Sequence, residues 1–192
     1  MMNLSRRAHC ALLVIAALAA CHGDRVRTSH PRKIVLVPIG SVPADVVLHL
    51  KRELPKHLDG TVTIARPIPL QRSAFNGARG QYLGSALLEE LQRQDIVADR
   101  VLGILDADAY APGLNFIFGQ GKKPGRVAVI ALPRLRLYNA SLFRERVVKV
   151  AVHELGHSLG ISHCLDSKCV MHFANSVREL DHQGAAFCAQ HE

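Results

Sequence analysis

The stretch that decides the fold is VKVAVHELGHSLGISHC, residues 148–164 of a 192-residue chain. The apolar residues that precede and enter it follow the 3.6-residue period of a helix, which predicts an amphipathic helix over residues 141–159. His153 and His157 are four residues apart, so both imidazoles lie on one face of that helix. A glycine three residues after His157 can end the helix, and the resulting turn brings His163 back towards the pair.

These residue types predict a catalytic zinc site. Three neutral histidines (His153, His157 and His163) leave the fourth position of a tetrahedral zinc ion open for water. Glu154 lies beside the helical pair, where its carboxylate can accept a proton from that water. The implied reaction is hydrolysis of a peptide bond. The alternative is a catalytically weak or inactive lipoprotein that is stabilised by zinc and binds peptides without cutting them.

The cysteines predict a second metal site. Beyond the N-terminal Cys10 and Cys21 the chain contains three, an odd number that cannot all pair as disulfides. A closed zinc site of three thiolates and one imidazole accounts for all of them, with the ligands Cys164, Cys169, Cys188 and His191. A water or the carboxylate of Glu192 would complete the site if His191 did not bind. One disulfide with a free thiol and no metal is the alternative. With both sites filled, the chain would bind two zinc ions.

The N-terminus has the features of an export signal. A pair of arginines precedes an apolar run over residues 11–17, and we predict a signal peptide over residues 1–20. The sequence LAAC at 18–21 resembles a bacterial lipobox, which predicts lipid on Cys21 and a tether over residues 21–33. The protein would then be exported and anchored to the bacterial cell envelope, on its periplasmic or outer-membrane face. An ordinary secretory signal, with Cys21 an incidental thiol, is the alternative.

Strand and helix patterns alternate in the first half of the chain, which favours an α/β fold. The predicted strands are 33–40, 61–65, 100–108, 114–118 and 126–132, and the predicted helices before the histidine helix are 43–54 and 79–94. The last stretch, about 161–192, has no strand pattern, and we expect a small subdomain held by zinc. Asp106 and Asp108, at the end of a predicted strand, are interpreted as turn residues and not as a calcium site.

Length and charge narrow the function classes. The chain is long enough for one domain with a buried core, and we expect a monomer. Its formal net charge is +8, but the basic residues are scattered in pairs and do not resemble a nucleic-acid-binding module. We therefore expect a peptide or protein substrate, a membrane contact through the lipid, and no nucleic-acid partner.

At the histidine and cysteine motifs the sequence resembles the archaemetzincins, a family of zinc metallopeptidases. The matching positions are His153, Glu154, His157, Gly160, His163, Cys164, Cys169 and Met171. Upstream stretches such as ILDADAYAPGLNFIFGQ (104–120) are also similar. Where the family pattern ends in a cysteine, this chain has His191, and the spacing from Met171 to Cys188 is one residue shorter.

The resemblance implies a metzincin-like catalytic domain over residues 34–192. Its mixed β-sheet would lie above the active-site helix, and one strand at the sheet edge would pair with an extended peptide. We expect 114–118 or 126–132 to supply that edge strand, and Met171 to form an apolar floor beneath the histidines.

Overall fold

The computed structural model describes residues 31–191. The predicted signal peptide, Cys21, most of the tether and Glu192 lie outside the described residues. The strands are β1 (Arg32–Ile39), β2 (Gly60–Ile64), β3 (Phe75–Asn76), β4 (Gln81–Leu83), β5 (Arg100–Leu105), β6 (Ala109–Tyr110), β7 (Gly119–Gly121) and β8 (Val127–Ala131). The helices are α1 (Ala44–Glu53), α2 (Gly84–Arg93), α3 (Phe143–Ser158) and α4 (Val177–His182).

Five strands form the main sheet in the order β2-β1-β5-β8-β7. The first four are parallel to one another, and β7 pairs antiparallel with β8 at the edge. The fold is therefore the α/β type with a mixed sheet that the sequence predicts.

The central strands are apolar throughout because both faces of the sheet are covered, as is usual for parallel strands. Alternate residues separate into two cores. Ile34 and Leu36 of β1 belong to the core that includes α1 and α3, whereas Val35 and Val37 belong to the core that includes α2. This period of two places α3, with its histidines, beneath one face of the sheet.

The prediction for residues 114–118 is wrong. This segment is a loop in which Ile117 alone makes a bridge, to Ala109, and the strand begins only at Gly119. Its aromatic residues pack elsewhere: the Arg134 guanidinium lies 4.2 Å from the centre of the Phe116 ring. Tertiary packing thus overrides the β-propensity of the segment.

Two other boundaries differ from the predictions. The helix predicted over 79–94 begins at Gly84, because residues 81–83 form β4 in a small second sheet with β3 and β6. The strand predicted over 100–108 ends at Leu105. Asp106 and Asp108 follow it and form bidentate ion pairs with Arg136 and Arg134.

Residues 161–191 contain little regular structure beyond the short helix α4. They nevertheless contribute to the core under α3, where Cys164, Cys169 and Met171 are buried. Within the part of the chain that the structure describes, no helix has both the length and the apolar character needed to cross a bilayer.

Candidate active site

Helix α3 carries the histidine motif through the centre of the molecule. The side chain of Asn139 accepts a hydrogen bond from the Ser141 backbone N–H in the turn that leads into the helix. Gly160, at φ +93°, turns the chain away just after the C-terminal end of α3. A residue with a side chain would be strained there, which is the physical reason for glycine at this point in the motif.

Backbone carbonyls fix the ring orientation of both helical histidines. His153 Nδ1 lies 2.7 Å from the Val170 carbonyl oxygen, and His157 Nδ1 lies 2.8 Å from the Ile161 carbonyl oxygen. A carbonyl only accepts hydrogen bonds, so each Nδ1 carries the proton and each Nε2 has a free lone pair. Both rings are therefore held in the tautomer that binds a metal through Nε2.

The turn after α3 brings His163 to the same place. Its Nε2 lies 3.1 Å from His157 Nε2, and nitrogen atoms of the three rings lie within 4.8 Å of one another. Burial is the main cause that lowers the pKa of His153, to about 4, although its Val170 hydrogen bond opposes this. Three neutral nitrogen donors that converge on one point are suited to a divalent cation such as zinc.

Glu154 is buried beside the histidines, with 6% of its surface exposed. Two glycines of the edge strand make room for it. A Cβ on Gly119 would lie 2.5 Å from Glu154 Cγ, and a Cβ on Gly121 would lie 2.5 Å from the Glu154 carbonyl oxygen. Strand β7 can therefore lie directly against α3 only because both residues lack a side chain. No local sequence pattern marks these glycines, because their requirement comes from a helix more than thirty residues further along the chain.

Burial raises the pKa of Glu154 to about 8, and a hydrogen bond from the Gly121 backbone lowers it in part. A divalent cation on the neighbouring histidines would lower this pKa again, because a nearby positive charge favours the carboxylate, the form that can accept a proton.

A cleft of about 560 Å³ opens onto the histidines and Glu154. Its wall away from α3 is formed by the loop that precedes β7 and by β7 itself, and Val150 and Leu180 make one end apolar. His172 and Phe173 also line it. The Nδ1 atom of His172 lies 2.9 Å from the Cys164 carbonyl oxygen.

The edge strand beside this cleft is β7, so the expectation that 114–118 or 126–132 supplies it is wrong. Residues 126–132 correspond to β8, which lies between β5 and β7. Met171 is fully buried, and its sulfur lies 2.5 Å from where a Cβ on Gly156 of α3 would stand. Its side chain therefore packs against the helix between the two histidines, in the position expected of an apolar floor.

The second predicted ligand set also comes together. Ligand atoms of Cys164, Cys169, Cys188 and His191 lie within 4.8 Å of one another. The Sγ atoms of Cys164 and Cys188 are 3.7 Å apart, and Cys188 Sγ lies 3.3 Å from His191 Nδ1. Zinc–sulfur bonds of about 2.3 Å in a tetrahedron place two sulfurs about 3.8 Å apart, so the spacing fits zinc. All three thiols are free.

One buried charge near the site was not predicted. Arg146 of α3 is 1% exposed and makes a bidentate ion pair with Asp181 of α4, with distances of 2.6 and 2.7 Å. The same guanidinium also donates to the carbonyl oxygens of Leu135 and Leu137. An arginine in a helical pattern usually faces solvent, so the sequence gives no signal for this pair.

Comparison with known proteins places the chain among zinc peptidases of one family. Residues 41–191 match the profile described as Peptidase family M54. The archaemetzincin of Methanopyrus kandleri is 41% identical, with 81% of this chain and 91% of that protein covered. The archaemetzincin of Archaeoglobus fulgidus is 37% identical, with 82% and 95% covered.

Solved structures agree with the sequences. The crystal structure of the Methanopyrus kandleri archaemetzincin superposes with a TM-score of 0.78 at 40% identity, covering 86% of this chain and 94% of that one. The Archaeoglobus fulgidus archaemetzincin, solved in complex with malonate, gives a TM-score of 0.75 at 36% identity, covering 83% and 97%.

Proposed function

The chain belongs to peptidase family M54 and is a zinc metallopeptidase, and we propose that His153, His157 and His163 hold its catalytic zinc while Glu154 acts as the general base. The observation that carries this proposal is the pair of carbonyl contacts that leave both helical Nε2 atoms unprotonated and facing His163. A peptide-binding lipoprotein without activity is not favoured by the family comparison.

The donor set fits zinc and leaves room for chemistry. Three imidazoles would occupy three of the four positions that zinc prefers, and all three rings line the cleft, which leaves the fourth position for water or substrate. When bound there, zinc would supply Lewis acidity that activates water and polarises a substrate carbonyl.

Glu154 performs the proton transfers in this proposal. Its buried carboxylate accepts a proton as water attacks the scissile carbonyl, and it then delivers that proton to the departing amine. The Gly121 backbone stabilises the carboxylate through its hydrogen bond, and packing against Gly119 limits where the side chain can lie.

Strand β7 offers the substrate a place to bind. The backbone hydrogen bond from Lys122 N–H to the Val127 carbonyl oxygen of β8 fixes the alternation of the antiparallel ladder. This alternation turns the polar groups of Gly119 and the carbonyl of Gly121 towards the open edge. An extended peptide can add to this edge as a further strand. Its scissile bond would then lie over the histidines and Glu154.

We further propose that Cys164, Cys169, Cys188 and His191 hold a second, structural zinc. Cys164 follows His163 directly, and its backbone N–H donates to the Met171 carbonyl oxygen at 2.9 Å. An ion held by the thiolate of Cys164 would therefore also restrict the position of His163.

Export and lipid anchoring through Cys21 remain a proposal that rests on the LAAC sequence. In a bacterial host, radiolabelled palmitate should enter the full-length chain and should not enter the Cys21→Ser variant. Equal labelling of both would exclude lipid on Cys21.

The peptidase mechanism is tested with the full chain loaded with zinc and a library of unstructured peptides. We expect cleavage, and Glu154→Gln should lower kcat/KM by about 10²–10⁴-fold while zinc content stays the same. Activity in Glu154→Gln close to that of the wild type would exclude Glu154 as the base. A parallel loss of zinc would assign it a ligand role instead.

A further inference from the structure

Two adjacent lysines in the connection between β7 and β8 point to different parts of the molecule. Lys122 Nζ lies 3.2 Å from Gln92 Oε1 of α2, on the far side of the sheet from the histidines. Lys123 Nζ donates to the Ser162 hydroxyl, one residue before His163. Of this otherwise similar pair, only Lys123 faces the catalytic centre.

The charge of Lys123 is not engaged in an ion pair within the described residues, 31–191. Burial lowers the pKa of His157 and of His163, and the positive charge of Lys123 lowers both further. A divalent cation on the histidines would add to this positive region. A carboxylate placed there would be attracted by both charges.

Lys123 also stands at a defined end of the substrate path. The direction from Gly119 to Gly121 follows α3 from Glu154 towards His157, and the Gly125 N–H beyond it donates to the Ser158 carbonyl oxygen. Lys123 therefore lies past the C-terminal side of the histidines. The apolar end of the cleft lies the other way, at Val150 and Leu180, one turn before the motif.

The residues that line the cleft itself carry little charge. Apart from Glu154 and the histidines, its lining residues within the described chain are apolar or neutral polar. Lys123 therefore adds a positive charge at the end of a path whose described lining carries no other charge beyond Glu154 and the histidines.

We propose that Lys123 is a specificity-determining residue that binds the carboxylate of an Asp or Glu side chain of the peptide substrate, on the side of the scissile bond away from the apolar end of the cleft. This inference rests on the proposed function, because the path that it describes is the one along β7. Lys122 provides a close control, because the Lys122→Gln substitution removes the same charge one residue away from Lys123.

The experiment measures binding separately from turnover. Full-length Glu154→Gln protein, loaded with zinc, is titrated into fluorescein-labelled peptides of alanine and glycine with one leucine, in which Glu or Gln stands at each position in turn. Fluorescence anisotropy should show one or two positions at which Glu binds about two- to fivefold more tightly than Gln, the range of an exposed ion pair. The preference should weaken at high salt.

Substitutions then assign the preference. Lys123→Gln should abolish the difference between the Glu and Gln peptides, Lys123→Glu should reverse it, and Lys122→Gln should leave it as in the parent protein. If Lys123→Gln and Lys122→Gln reduce the preference equally, the preference depends only on the net charge of the protein, and the proposal is wrong. Equal binding of all Glu and Gln peptides would do so as well.

The proposed function can fail separately. If the unsubstituted chain cleaves peptides without regard to Glu, the peptidase mechanism stands and the role of Lys123 is wrong. If Glu154→Gln shows the Lys123-dependent preference but the unsubstituted chain cleaves nothing, the binding site stands and the proposed mechanism is wrong.

Discussion

The two ligand clusters share a short stretch of chain, yet different forces hold them. His153 and His157 project from one regular helix, and backbone carbonyls orient both rings. The cysteine cluster takes its ligands from irregular segments on either side of α4, and its last ligand, His191, is the last residue that the structure describes.

This difference indicates two relations between metal and fold. The histidine cluster is arranged by the helix and its packing, so the fold precedes the metal. If the cysteine cluster binds zinc as proposed, we expect the reverse order there. Residues 161–191 contain little regular secondary structure, so much of the free energy of zinc binding would become free energy of folding. A catalytic site needs the first arrangement because its open position depends on rigid ligands.

The largest effect should come from removing a cysteine ligand. We expect Cys169→Ser to lower the free energy of unfolding by several kcal/mol, up to about 10, because structural zinc contributes on that scale. His157→Ala removes a ligand of the other cluster and should leave the fold largely intact. Urea unfolding of both variants in the presence of zinc compares them directly.

Similar losses of stability in Cys169→Ser and His157→Ala would contradict the view that only the cysteine cluster depends on its metal for folding. A Cys169→Ser protein as stable as the wild type would show that residues 161–191 fold without the second ion.

The second-largest effect should come from a substitution in β7, which shows how closely this strand must approach α3. Gly119→Ala places a methyl group 2.5 Å from Glu154 Cγ, so either the strand or the carboxylate must move. We expect kcat/KM to fall about 10–100-fold, as displacement of catalytic groups by about 1 Å does, with zinc content unchanged. Gly77→Ala is the matched control, since nothing lies within 4 Å of its added Cβ. Equal activity in the two variants would contradict the conclusion that Glu154 needs the space beside Gly119.

A smaller effect should come from the tie between α3 and α4 that involves no metal. The Arg146 guanidinium lowers the pKa of Asp181 through their hydrogen bonds. A depressed carboxyl pKa stabilises the fold above its unfolded value of about 3.9, and the stabilisation is lost as the pH falls through the folded-state pKa. Asp181→Asn should therefore cost about 2 kcal/mol at pH 7.

The pH dependence provides the check on Asp181. The difference in free energy of unfolding between wild type and Asp181→Asn, measured in urea, should shrink below about pH 4. Any loss of zinc in acid affects both proteins and cancels in the difference. A difference that did not shrink at all as the pH fell below about 4 would assign the effect to packing and not to the ion pair.

Sequence reasoning succeeded where the signal was local. The spacing of His153, His157 and His163 places three rings together through one helix and one turn, and the buried strands follow from continuous apolar runs. It failed where the partner lies far along the chain. Gly119 is explained by Glu154, and Arg146 by Asp181, and neither pairing leaves a periodic pattern.

The failure at residues 114–118 has a similar cause. The segment is rich in residues that favour strands, but Phe116 stacks under Arg134, which in turn pairs with Asp108. These contacts hold the segment as a wall of the cleft. Only the three-dimensional arrangement shows that its aromatic side chains line the cleft and do not belong to a strand of the sheet.

The most direct test of the account is the number of zinc ions per chain, measured by elemental analysis on the full-length protein purified under reducing conditions. We predict two zinc ions per chain, with one lost in His157→Ala and the other lost in Cys169→Ser. A single ion or none in the wild-type protein would contradict the assignment of His163 and Cys164 to separate metal sites.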